Sequence, residues 1–222
     1  MVFGGTNRRS GRGRAILIVI GLAIACLPLY ANRIVAAAGI EANFFRGPPS
    51  VLLWNWLAVA LILRFIVRVE RLGLGAIGLR RPRAADTSWA VGFFALATGT
   101  SSIVTSLVPP THLDGMDLLL ALPPPVLIAL IITTAVTEEI LHRGYPIERL
   151  ASVTGSLWLA TAVSLSLFIA PHLLFFGPQW LLARGINVAL IYALYLWRRN
   201  LPACMLLHGL GNAMILGPAL NG

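Results

Sequence analysis

Apolar stretches that are long enough to cross a bilayer are the feature that most restricts the fold of this sequence. A bilayer core of about 30 Å is crossed by about 20 helical residues, and in lipid every backbone polar group needs an internal partner. The chain is therefore predicted to be an all-α polytopic transmembrane helix bundle of about seven spans. These spans are residues 15–32, 51–67, 89–108, 124–145, 156–175, 180–197 and 200–217.

The composition excludes a water-soluble enzyme and a disordered chain. Only 11% of the 222 residues are charged and 58% are hydrophobic, whereas a soluble domain has about 25% charged residues. The net charge of +9 comes from 17 basic residues, all arginine, and in a membrane protein these are topology signals, not a nucleic-acid site. Cys26 and Cys204 lie in apolar stretches and are predicted to be packing residues, since two thiols give neither a disulfide framework nor a zinc spacing.

The arginines between the spans predict the orientation of the chain. Alternate connections carry 12 of the 17 arginines, and the opposite connections carry only Arg33 and Arg46. By the positive-inside rule the N-terminus is cytoplasmic. Residues 1–14 are then a basic cytoplasmic tail and residues 15–222 a single transmembrane domain in the cell membrane, with the first span an uncleaved signal anchor.

The fourth span carries ionisable residues where a membrane helix normally has none. A charge at the bilayer centre costs at least about 2.5–3.5 kcal/mol, so such residues pair or perform chemistry. Residues four apart share a helix face, which places Glu138 beside His142 and Glu139 beside Arg143. A Glu139 paired with Arg143 leaves Glu138 as a free base.

Two later spans carry matching polar residues. His172 follows Phe168 by one turn in the fifth span, and His208 precedes Asn212 by one turn in the seventh. At 1.5 Å per residue, Glu138 and His172 differ in depth by little more than one turn, so all three groups can meet within the membrane. Three other arginines lie in or beside spans: Arg64, Arg68 and Arg184. Each is expected only to extend its charged group to the membrane–water interface.

These residues permit hydrolysis by an activated water. Glu138 with His172 would activate the water, and His208 with Asn212 would donate hydrogen bonds to an oxyanion. Ser164 and Ser166 have no His–acid pairing, so acyl transfer is unsupported. No cofactor is predicted. The open alternative is zinc held by Glu138, His172 and His208, although the chain has no HExxH and only one Glu-x-x-His.

The three segments resemble the CPBP family (CAAX proteases and bacteriocin-processing enzymes, also called Abi), which includes the type II CAAX prenyl endopeptidases. The family pattern is Glu-Glu-x-x-x-Arg, Phe-x-x-x-His and His-x-x-x-Asn on separate helices. Here these are Glu138-Glu139 with Arg143, Phe168 with His172, and His208 with Asn212. Residues 77–82 are family-like as well, and residues 124–217 form the similar core.

The resemblance implies an intramembrane endopeptidase with a metal-free, glutamate-dependent mechanism. It implies catalytic roles for Glu138, His172, His208 and Asn212, with Glu139, Arg143, Phe168 and His142 in support. The chain departs from the pattern at His142, where the family has an apolar aromatic residue, and at Pro171, which should kink its helix.

The expected partners are a membrane peptide or protein substrate and the lipid bilayer, with no nucleic acid; the sequence does not indicate an oligomeric state. Two other functions remain open. The same scaffold could serve a non-catalytic bacteriocin-immunity or partner-binding protein, and intramembrane Glu and His also relay protons in transporters.

Overall fold

The computed structural model describes residues 11–39, 48–109 and 115–221, and these residues form helices and no strand. The all-α prediction is therefore confirmed. Residues 1–10 of the predicted tail, and Arg46, lie outside the described residues. The helices are α1 (Gly11–Ala25), α2 (Leu27–Ala37), α3 (Ser50–Phe65), α4 (Ala84–Leu107), α5 (Met116–Leu120), α6 (Pro124–Glu138), α7 (Tyr145–Thr154), α8 (Leu157–Phe176), α9 (Trp180–Arg198), α10 (Leu201–Ala213) and α11 (Leu216–Asn221).

Within the described ranges, five helical segments are long and apolar enough to cross a membrane: Ser50–Glu70, Ala84–Leu107, Pro124–Thr154, Leu157–Phe176 and Trp180–Arg198. A sixth span results if α1 and α2, which meet at 59°, are counted as one broken span. This agrees roughly with the predicted count. The difference is at 200–217, where the chain forms α10 and α11 of 13 and 6 residues, each too short to cross alone.

Three arginine-bearing connections meet at one end of the bundle, as their alternation predicts. Arg80 donates to the carbonyl of Arg198 at 2.7 Å, and Arg198 pairs with Asp86 at 2.7 Å. Arg199 pairs with Glu148, which follows the fourth predicted span. By the positive-inside rule, the end that carries these charges is predicted to face the cytoplasm.

The helix that carries Glu138 is one long element with an irregular centre. It runs from Pro124 to Thr154, with a π-helical turn at Glu139–Gly144 between α6 and α7. It ends at Gly155, in the left-handed region with φ of 67°, and Ser156 then caps α8 by accepting from the Leu159 amide at 3.2 Å. This is the turn that the sequence predicts near 152–155.

Polar side chains of α3 fix the register of α6. Asn55 donates to the hydroxyl of Thr137 at 3.0 Å, and the indole of Trp56 donates to Thr133 at 3.0 Å. Buried polar groups need partners, and between helices in lipid such bonds contribute about 0.6 kcal/mol each and up to about 1.7 kcal/mol. The residue after Thr137 is Glu138, so these bonds position the acidic pair.

Candidate active site

A cavity of about 470 Å³ lies between α3, α6, α8, α9 and α10. Most of its wall is apolar, and the lining also includes Asn, Thr, Glu, His and Arg side chains. Six of the eight predicted site residues line it, namely Glu138, His142, Phe168, His172, His208 and Asn212. The other two, Glu139 and Arg143, lie behind the wall and are fully buried.

The two adjacent glutamates lie in different environments where α6 meets the π-helical turn at Glu139–Gly144. A π-turn inserts an extra residue per hydrogen-bonded turn, and such turns are frequent at functional sites. The Glu138 side chain is 15% exposed and reaches the cavity, whereas that of Glu139 is 0% exposed. The carboxylate that faces the cavity is therefore Glu138, as the pairing of Glu139 with Arg143 predicts.

Glu139 connects two of the motifs. Its Oε1 accepts a hydrogen bond from Arg143 at 2.5 Å and lies 2.7 Å from Nδ1 of His208. The predicted Glu139–Arg143 contact is thus confirmed, and His208 from α10 is an additional partner. The Nε2 atom of the same imidazole lies 3.8 Å from Oε2 of Glu138, so His208 lies between the two carboxylates.

The guanidinium of Arg143 lies between two aromatic rings. Its central carbon is 4.4 Å from the ring centre of Phe168 and 4.4 Å from that of Tyr192. A planar cation is stabilised by aromatic faces, by about 2 kcal/mol or more when it is desolvated. Phe168 therefore contacts the supporting cation as well as the cavity, and Tyr192 is a partner that the sequence did not indicate.

His172 is held by its own helix and by a ring stack. Its Nδ1 lies 2.7 Å from the carbonyl oxygen of Phe168, which can only accept, so Nδ1 carries the proton. In the neutral ring Nε2 is then the free acceptor. The ring centre lies 4.7 Å from that of Trp180, with a stacked geometry. Pro171 is accommodated inside α8, which continues to Phe176.

Asn212 lines the cavity one turn beyond His208. Its side-chain amide donates to the hydroxyl of Thr134 at 3.1 Å, and Thr134 donates to the Leu130 carbonyl at 2.9 Å. The amide is therefore oriented by α6. One of its two N–H groups is engaged in this bond.

His142 and the serines of α8 have packing contacts. The His142 ring makes an edge contact with Phe168 at 5.6 Å, and its backbone carbonyl accepts from Ser164, which also lies 3.0 Å from the Tyr192 hydroxyl. Ser166 donates to the Ala162 carbonyl at 2.9 Å. The serines thus bond to backbone, as expected of serines in membrane helices.

Arg184 differs from the sequence expectation. It lines the cavity, and its Nη1 donates to the carbonyl of Gly211 on α10 at 3.0 Å. The expectation that it only reaches for the interface was therefore wrong, because its helix face is turned toward α10. A Cβ at Gly211 would lie 2.3 Å from Nδ2 of Asn187, so the lack of a side chain there permits the close approach of α9.

The alternative metal site has no assembled ligand set in the ranges 11–39, 48–109 and 115–221. No group of three or more His, Cys, Asp or Glu side chains there is arranged to hold a metal ion. Glu138 and His208 are close, and Glu139 on Nδ1 of His208 leaves Nε2 as the atom of that ring that could bind a metal.

Comparison with known proteins gives one match. Residues 120–214 match a family model described as Type II CAAX prenyl endopeptidase Rce1-like. No curated protein and no solved structure gives a match. The matched range contains all eight predicted site residues, and together with the candidate spans it indicates an integral membrane protein. Residues 120–214 therefore match the Rce1-like type II CAAX prenyl endopeptidase family.

Proposed function

We propose that the protein is an intramembrane endopeptidase of the cell membrane that hydrolyses peptide bonds of membrane-associated or lipidated substrates. The observation that carries the proposal is the cavity wall on which Glu138, His172, His208 and Asn212 lie together. A carboxylate with no hydrogen-bonded protein partner in the described ranges, facing a cavity beside an imidazole acceptor, is suited to take a proton from water.

In this mechanism Glu138 accepts a proton from a water molecule that Nε2 of His172 helps to orient. The water oxygen attacks the scissile carbonyl carbon and forms a tetrahedral oxyanion. Glu138 then passes the proton to the leaving nitrogen, the C–N bond breaks, and the products are a carboxylic acid and an amine. The glutamate ends in its starting charge state.

The oxyanion would accept hydrogen bonds from Asn212 and from Nε2 of His208. Because Nδ1 of His208 faces a carboxylate, donation from Nε2 requires that the ring carry both protons. Glu138, Glu139, Arg143 and a protonated His208 together carry no net charge, which reduces the cost of burying them. A preorganised donor of this kind contributes about 10²–10³ in kcat.

The apolar remainder of the cavity favours a hydrophobic substrate. Leu127, Leu130, Phe175 and Phe176 line it beside the polar groups. Such walls suit a lipid chain or apolar side chains, because burial of apolar surface stabilises the complex. Prenylated peptides are the substrates that the family description names, and we propose that this chain accepts substrates of that class.

The test is cleavage by the purified protein in proteoliposomes of a quenched-fluorescent farnesylated peptide that ends in Cys, two aliphatic residues and a variable residue. We expect E138Q and H172A to abolish cleavage while the melting temperature of E138Q stays unchanged. R64Q, which alters an exposed arginine of α3, is the matched control and should cleave normally. Full activity of E138Q would exclude the mechanism. In a separate assay of bacteriocin immunity in cells, protection retained by E138Q would favour the non-catalytic binding function instead.

A further inference from the structure

Arg184 is a cation in the wall of the cavity that has no acidic partner among the described residues. The other arginines that the structure describes as buried or half-buried have one: Arg143 with Glu139, Arg149 with Glu70, Arg198 with Asp86 and Arg199 with Glu148. Arg184 has instead one hydrogen bond, from Nη1 to the Gly211 carbonyl. A guanidinium has five N–H donors, so most of them remain available toward the cavity.

An unpaired cation within a membrane protein is costly unless it meets an anion. The wall around Arg184 is formed by apolar and neutral groups, including Trp180, Asn187 and Val188. The carboxylate of the cavity, Glu138, is placed beside His208 and not beside Arg184. The local charge is therefore complementary to an acidic group that enters the cavity from outside the protein.

The position of Arg184 fixes where that group would lie relative to the scissile bond. Its partner carbonyl belongs to Gly211, which lies next to Asn212 and about one turn from His208. Arg184 and Glu138 thus both contact α10 at positions about one turn apart, through contacts of 3.0 Å and 3.8 Å. An extended peptide spans about 3.3–3.6 Å per residue, so a few residues separate the two positions.

We propose that Arg184 is a substrate-binding residue that holds a carboxylate of the substrate a few residues beyond the scissile bond. This rests on the proposed function of the cavity and assigns its carboxylate-binding group. The guanidinium fork matches a carboxylate with two parallel hydrogen bonds. The carboxylate is the free C-terminus of the substrate or an acidic side chain near it, and the experiment distinguishes these two sources.

The experiment compares three forms of the farnesylated peptide: a free C-terminal acid, a C-terminal amide, and the amide with Asp as its last residue. Binding is measured by displacement of a fluorescent farnesyl peptide from E138Q protein, which should bind without turnover, and cleavage is measured with the unmodified protein. We expect the acid to bind at least about tenfold more tightly than the amide. The Asp-amide peptide binds like the acid if a side chain can serve, and like the amide if only the C-terminus fits.

The variants assign this preference to one residue. R184Q in the E138Q background should lose the preference for the acid, R184K should retain part of it, and R64Q should leave it unchanged. In the active protein R184Q should raise KM more than it lowers kcat. If R184Q fails to fold, the acid–amide comparison in E138Q protein and the R184K variant still decide.

The outcomes separate this inference from the proposed function. Cleavage of the acid and the amide with equal kcat/KM would overturn the role of Arg184 and leave the protease in place. An Arg184-dependent preference in binding without any cleavage would support the role of Arg184 and count against the protease. Equal binding of the two peptides in the displacement assay, including no measurable binding, overturns the inference.

Discussion

The Nδ1 atom of His208 lies 2.7 Å from Oε1 of Glu139, the same oxygen that accepts a hydrogen bond from Arg143. One carboxylate oxygen of Glu139 thus contacts both Arg143 of the Glu-Glu-x-x-x-Arg motif and His208 of the His-x-x-x-Asn motif. Glu139 is a positioning residue in this arrangement, because it contacts the groups around the cavity and does not line the cavity itself.

The two adjacent glutamates should therefore respond differently to the same substitution. E139Q should lower the melting temperature, because it leaves Arg143 buried without a counter-charge, and loss of one partner of a buried pair costs about 3–5 kcal/mol. E138Q should abolish cleavage and leave the melting temperature near that of the unmodified protein. Differential scanning fluorimetry with the peptide assay tests both. Equal destabilisation by the two variants would contradict this division of roles.

Replacement of Asn212 should reduce turnover more than binding. N212A removes a donor that we place at the oxyanion, so kcat should fall by about 10²–10³ with little change in KM. T134V removes the hydroxyl that orients Asn212 and should lower kcat, but by less than N212A does. T134S keeps the hydroxyl and should keep the kcat of the unmodified protein. T161V is the matched control, because the Thr161 hydroxyl donates only to the Leu157 carbonyl in its own helix. A T134V variant with unchanged kcat would show that Thr134 does not orient Asn212.

Replacement of Arg143 by lysine should lower the unfolding free energy. R143K keeps the charge but loses the planar group between Phe168 and Tyr192, so we expect a loss of about 1–3 kcal/mol in unfolding free energy. R64K is the comparison variant, since Arg64 is exposed on α3 and a substitution at such a position changes the unfolding free energy by no more than about 0.5 kcal/mol. Melting temperatures in one detergent measure both effects. Similar shifts in melting temperature for the two variants would argue against stacking of Arg143 between Phe168 and Tyr192.

Chelation should leave cleavage unchanged. The proposed reaction uses Glu138, His172, His208 and Asn212 without a metal, so prolonged treatment with phenanthroline or EDTA should not lower kcat. A zinc endopeptidase assayed in the same buffer is the control for the chelator. Loss of activity that added zinc restores would favour the alternative set of Glu138, His172 and His208.

The π-helical turn should depend on the glycine at its end. A Cβ at Gly144 would lie 2.8 Å from the backbone oxygen of Ile77 and 2.6 Å from Cδ1 of Leu201, so G144A must displace the segment after α3 or α10. Overpacking of this kind costs about 1–3 kcal/mol, and cleavage should fall with stability. G92A is the control, because nothing lies within 4 Å of a Cβ there. An unchanged melting temperature for G144A would contradict this packing.

Local periodicity predicted the parts of the site that lie on one helix. The pairing of Glu139 with Arg143 follows from residues four apart, and the all-α architecture follows from the lengths of the apolar stretches. The alternation of arginines also predicted which connections share an end of the bundle. These inferences need no knowledge of which helices pack together.

The contacts between helices could not be predicted in this way. The approach of His208 to Glu139, the stacking of Tyr192 on Arg143 and the orientation of Arg184 depend on the crossing of helices that are distant in the chain. The π-turn is likewise not visible in the residue pattern, because Glu139 and Arg143 have the four-residue spacing that an ordinary α-helix would also pair. Arg184 could have been identified only as an arginine within a span that lacks an acidic residue.

Asn55 and Trp56 lie outside the range that matches the family model, yet their side chains hold the helix of the acidic pair. The cavity wall likewise includes Leu29 and Val51 from the first part of the chain. A shortened protein that begins at residue 120 would keep every motif residue and lose these supports. The amino-terminal helices are thus part of the scaffold of the cavity, and we expect a transplant of the motif segment alone into another membrane protein to lack the hydrolysis that we propose.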